Sequence, residues 1–181
     1  MSRRIVFSSL LTVALAAMAA AQMHNHDKDA RPSPPAHAQC RFADGKNISV
    51  DYSSPRAKGR KIFGGLVPYD EVWRTGANEA TAFVSTTALT VDGKDVPEAD
   101  YTLFTVPEQN KWTLIINKKT GEWGIPYNYE SDELVRVPMK VAKTSAPVED
   151  FTISFEPKGS ACVMTLAWEN TQASVQFDEK K

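Results

Sequence analysis

Apolar residues recur at every second position through most of this chain, a spacing that puts them all on one face of an extended strand but scatters them around a helix. The clearest runs are Ile48/Val50/Tyr52, Trp112/Leu114/Ile116, Val135/Val137/Met139/Val141, Phe151/Ile153/Phe155, Cys162/Met164/Leu166/Trp168 and Ala173/Val175/Phe177. Turn-forming residues separate them: Asp44-Gly45, Asp92-Gly93, Glu108-Gln109-Asn110, Lys158-Gly159-Ser160 and the pair Glu169-Asn170, each marking an expected hairpin. No stretch sustains a three-to-four-residue apolar period, although a brief helix is expected around Asp70–Arg74 or Glu130–Leu134. Short strands with tight connections predict an all-β protein, an antiparallel β-sandwich or partly closed barrel with one long loop.

The two ends of the chain set its organisation. Arg3 and Arg4 precede an apolar run from Ile5 to Ala17, and Ala19-Ala20-Ala21 supplies small residues for cleavage, so residues 1–21 read as a secretory signal peptide. The alternative is a membrane anchor, but Ser8, Ser9 and Thr12 interrupt a run already short of the roughly 20 residues a bilayer requires. Residues 22–38 are polar and broken by Pro32, Pro34 and Pro35, the composition of a flexible tether. Residues 39–181 are then one β-sandwich domain, large enough for its own core. The reading is of an exported protein, periplasmic or secreted, with no membrane span after cleavage. Cys40 and Cys162 are the only cysteines, and in an oxidising compartment an even count favours a disulfide over two buried free thiols.

Composition removes several kinds of chemistry. Loss of Arg3 and Arg4 leaves 19 basic against 22 acidic residues, a formal charge of −3, which does not suit nucleic acid as a partner. His24, His26 and His37 all fall in the tether, so the domain is expected to contain no Ser-His-Asp or Cys-His nucleophile and no histidine-ligated metal. No phosphate-cradling glycine loop or dinucleotide fingerprint is present, and the sequence calls for no cofactor or metal. His24-Asn25-His26-Asp27 could hold a transition metal weakly, but a solubilising tether is the simpler reading. Asn47-Ile48-Ser49 has the form of a glycosylation acceptor on a strand run, a weak motif.

Alternation stops between Ser54 and Thr81, where five basic residues, Arg56, Lys58, Arg60, Lys61 and Arg74, gather in a net acidic protein. Arginine presents a fixed fork of donors suited to carboxylate, phosphate or sulfate. Tyr69 and Trp73 offer flat walls, Asn78 and Glu79 add polar groups, and Gly64, Gly65 and Gly76 allow sharp turns or close approach. Arg56, Arg60, Lys61, Tyr69, Trp73, Arg74, Asn78 and Glu79 are therefore the candidate ligand-binding residues. The competing reading is a loop that plugs one end of the sandwich with aromatics and spends its arginines on acids such as Asp51, Asp70 and Glu79 and on backbone carbonyls.

The stretch Ser54-Pro55-Arg56 through Lys61-Ile62-Phe63-Gly64-Gly65-Leu66-Val67-Pro68-Tyr69, continuing with Val72-Trp73-Arg74-Thr75-Gly76-Ala77-Asn78-Glu79-Ala80-Thr81, resembles the signature of an uncharacterised family of exported bacterial domains, domain of unknown function 2911. Tyr101–Pro107, Trp123-Gly124 and Leu166–Glu169 extend that resemblance over nearly the whole domain. It implies a bacterial, exported origin and transfers no activity or catalytic residue.

Three functions are then weighed. The first is a noncatalytic binding module for a small anionic or saccharide ligand, held by Arg56, Arg60, Arg74 and Asn78 between Tyr69 and Trp73. The second is a glycosidase-like hydrolase using Glu79 with Asp70 or Glu71 as acid and base. The third is a structural or assembly protein of the cell envelope, contacting a protein partner through exposed strands or the tether.

Overall fold

The computed structural model describes residues 30–180; the expected signal peptide, His24 and His26 lie outside the described residues. The fold is all-β. Nine strands, β1 (Pro35–Arg41), β2 (Asn47–Ser53), β3 (Thr81–Ser85), β4 (Leu89–Val91), β5 (Lys94–Val96), β6 (Ala99–Pro107), β7 (Trp112–Asn117), β8 (Glu133–Lys158) and β9 (Ala161–Glu179), form one sheet in the order β1-β2-β3-β6-β7-β8-β9-β4-β5. Every neighbouring pair is antiparallel, and the sheet does not close into a barrel.

The sheet turns back on itself because β8 and β9 are long enough to serve both layers. The first part of β8 pairs with β7 (Leu114 with Val137), and its last part pairs with the start of β9 (Phe155 with Met164). Between these parts the register shifts at Lys143, Val148 and Thr152, the irregularity that lets a strand bend. Side chains from distant strands then meet: Phe83 of β3 stacks on Phe177 of β9 at 5.3 Å, and the Tyr52 hydroxyl of β2 accepts the Ile153 N–H of β8 at 2.9 Å. The interior holds Ile48, Val50, Leu103, Leu114, Ile116, Met164 and Leu166 among others, and all of these are at most 1% exposed.

The apolar runs all appear as strand faces, with one revision. Glu169-Asn170 was expected to close a hairpin, but β9 runs straight through it. Buried positions fall on even numbers from Cys162 to Trp168 and on odd numbers from Ala173 to Phe177. A single extra residue is required to keep both halves facing inward, and Glu169, with φ of +53°, sits where the phase changes. Asp92 and Gly93, both with positive φ, form the two-residue turn between β4 and β5. Glu130–Asp132 is a single 3-10 turn, whereas residues 70–74 form no helix.

The tether ends earlier than its expected limit at residue 38. Pro35–Ala38 already belong to β1, and Ala36 pairs with Tyr52 and His37 with Asp51. Proline is tolerated there because β1 is an edge strand, where a missing N–H leaves no ladder bond unmade. His37 therefore lies on the sheet, contrary to expectation, with its Nδ1 2.8 Å from Asp51 Oδ1 on an exposed face. Cys40 of β1 and Cys162 of β9 form a disulfide, with Cα atoms 6.2 Å apart, that joins the two layers across 122 residues of sequence.

Candidate functional site

Residues 54–80 cross the end of the folded sheet, tied to one layer at each extremity. Near its start, Ala57 N–H donates to Glu149 O at 2.8 Å and Phe151 N–H to Pro55 O at 2.8 Å, which lays the segment along β8. Near its end, Trp73 and Thr105 exchange backbone bonds of 2.7 and 2.9 Å, so the segment extends the sheet alongside β6 beyond the end of β3.

Its aromatic residues are core. Phe63 lies 4.8 Å from Trp112, and Trp73 lies 4.9 Å from Phe151 and stacks on Trp168 at 6.0 Å. Both indole N–H groups are satisfied, Trp73 donating to Gly76 O at 3.0 Å and Trp168 to Glu149 O at 3.1 Å. Tyr69, half-buried, lays its ring over Gly64, where a Cβ would come within 2.5 Å of Cε2. Neither aromatic wall expected from the sequence is an open platform.

The basic residues do not converge either. Arg56 Nε donates to Asp150 Oδ1 at 2.9 Å, and Arg60 donates to Ala57 O at 3.0 Å and Arg56 O at 2.6 Å. Lys61 is exposed, and its carbonyl accepts the Leu66 N–H at 3.1 Å. These three positions fasten the segment rather than line a cavity. Glu79 pairs with Arg31 at 2.8 Å and lines a cavity of about 370 Å³ over the outer face of β2, β3 and β6, together with Asp51, Asp100 and Glu122.

Arg74 and Asn78 line a different cavity of about 320 Å³, whose walls include Leu66, Val67, Val72 and Ile125 and whose base carries Trp73 and Trp168. Glu71 lines it as well, so Glu71 and Glu79, one of the two carboxylate pairs expected for hydrolysis, line separate cavities. Arg74 Nη1 donates to Asn78 O and, at 3.1 Å, to Trp123 O, while the guanidinium sits 5.2 Å from the centroid of the Trp123 ring. Burial lowers its pKa below the ordinary arginine value. Arg74 has no carboxylate partner among the described residues, and its Nε and Nη2 make no hydrogen bond there.

Around this cleft the surface is unusually apolar. Leu66, Trp123 and Ile125, exposed by 47%, 55% and 38%, are the large hydrophobic side chains left open among the described residues; two line the cleft and the third carries the Arg74 stack. Trp123 and Ile125 were not among the candidates read from the sequence, where they sit in a Gly-, Pro- and Tyr-rich stretch without alternation. The backbone is strained here too. Asp70, Thr75 and Asn78 have φ of +63°, +56° and +58°, a region rarely taken by residues with a Cβ, least of all by β-branched threonine. Thr75 is held there by Thr105 Oγ1 at 3.1 Å and by the Thr81 hydroxyl, which donates to the Thr75 carbonyl at 2.7 Å.

The fold and cleft define an all-β domain whose one long loop shapes a small, apolar-walled cavity with a single arginine on its lining. Residues 33–177 match the model of a family described as "Protein of unknown function (DUF2911)", and the chain belongs to that family. No curated protein and no solved structure matches it.

Proposed function

We propose that this chain is an exported, noncatalytic binding module that takes a small anionic ligand in the cleft lined by Arg74. The observation that carries this reading is a partly desolvated guanidinium, without a carboxylate partner among the described residues, on a cavity rimmed by open apolar side chains. Such a cation gains from an anion that replaces its lost hydration. A saccharide is less well served, because the aromatic faces it would stack on, Trp73 and Tyr69, are engaged by the core and by Gly64. The Cys40–Cys162 disulfide suits an oxidising compartment and so supports export to the periplasm or beyond.

A thermal-shift screen of the purified protein against carboxylates, phosphate, sulfate and simple glycans tests this reading. Organic anions should raise the melting temperature, by about 2.7 kcal/mol of stability at a hundred times the dissociation constant. Leu66→Asp, which sets a negative charge at the rim on an exposed side chain, should abolish the shift, and Trp123→Ala should weaken it. Stabilisation by glycans alone, or an anion response untouched by both substitutions, would refute the assignment.

A further inference from the structure

The lining of the cleft carries one charge of each sign. Glu71 and Arg74 are three residues apart, both line the 320 Å³ cavity, and neither has an ion-pair partner among the described residues. The ion pairs Arg31 with Glu79, Arg56 with Asp150, Arg136 with Glu133 and Lys180 with Asp95 all lie away from this lining. Glu71 makes no hydrogen bond to any described residue, and the Nε–Nη2 edge of Arg74 is the fork that grips a carboxylate bidentately. The remaining lining is largely apolar, from Leu66, Val67, Val72 and Ile125.

This pattern narrows the ligand. Phosphate or sulfate, with two negative charges, would meet Arg74 but be repelled by Glu71, and a neutral sugar would leave both charges unmatched. The volume is at the lower end for small-molecule sites. We propose that the cleft takes a small zwitterion of the α-amino acid class with an apolar side chain. Its carboxylate lies on the open edge of Arg74, its ammonium on Glu71, and its side chain against Leu66, Val72 and Ile125. This inference rests on the reading of the cleft as an anion site and adds the second charge to it.

Titration calorimetry with three probes of one shape separates the two ideas: L-leucine, 4-methylpentanoate, which lacks the ammonium, and 3-methylbutylamine, which lacks the carboxylate. Leucine should bind at least about tenfold more tightly than either, the equivalent of one lost charge contact. Glu71→Gln, a change at an exposed side chain, should erase the lead of leucine over 4-methylpentanoate and leave the latter binding at least as well as before. Equal binding of leucine and 4-methylpentanoate, or a lead that survives Glu71→Gln, would overturn the zwitterion and leave the anion site standing. Absence of binding by leucine and 4-methylpentanoate alike would overturn both. Binding of 3-methylbutylamine as tight as that of leucine would also sink the zwitterion, since the carboxylate would then contribute nothing.

Discussion

At the scale of single residues, the loop shows how one side chain can decide whether a neighbour is a site or a strut. Gly64 has φ of +74° and carries the Tyr69 ring on the space a Cβ would fill, whereas Gly121, with nearly the same φ of +75°, faces open space. Gly121→Ala should therefore cost only the backbone strain, about 1 kcal/mol. Gly64→Ala should cost that and the displacement of Tyr69, at least about 1 kcal/mol more, read as the difference in urea midpoints. Equal costs would show that Tyr69 moves aside freely. The same contrast explains what could be read in advance. The arginines of the loop announced themselves by type, but their partners did not. Arg56 meets Asp150, 94 residues away, and the carbonyls taken by Arg60 and Arg74 carry no sequence signal at all. Arg74 and Asn78 both line the cleft; Ile125, which lines it too, and Trp123, which stacks on Arg74, come from a segment brought alongside only by folding.

Among the elements, alternation identified β2, β7, β8 and β9, because burial of one face writes that pattern, but not β3 or β4, whose buried faces are short or include Thr81 and Ser85, nor β6, buried at every position from Tyr101 to Thr105. It did not identify β1, whose side chains other than Cys40 are only partly buried or exposed, leaving little apolar contrast. Nor could it distinguish a turn from a bulge at Glu169, since both place polar residues where the phase slips. The edge strand β1 is held by β2 on one side and by the disulfide from Cys40 to Cys162. A cross-link enclosing so long a stretch restricts the unfolded chain strongly, so the double variant Cys40→Ser/Cys162→Ser should lose about 2 to 5 kcal/mol in denaturant unfolding. A reductant should bring the parent protein to the same midpoint and leave the variant unchanged. A reductant-insensitive parent would argue against the bridge.

For the molecule as a whole, pH offers a test of packing. Burial raises the pKa of Tyr52 and Tyr101, and burial followed by the hydrogen bond to Glu133 raises that of Tyr127. The folded protein thus keeps these phenols protonated at a pH where the unfolded chain, with ordinary tyrosines near 10, has begun to release them. The folded state then binds more protons, so stability should be intact below about pH 10 and fall as pH rises beyond it. Tyr127→Phe should make that fall shallower; an unchanged slope of urea midpoint against pH would contradict the assignment. The sulfur bridge also has a mechanical meaning. Tension applied at the two ends of the domain would enter at β1 and β9 and pass directly from Cys40 to Cys162. The loop and strands β2 to β8, enclosed between those cysteines, would bear none of it, whereas β9 beyond Cys162, with Trp168 at the base of the cleft, lies outside the bridge and could be drawn away from β8.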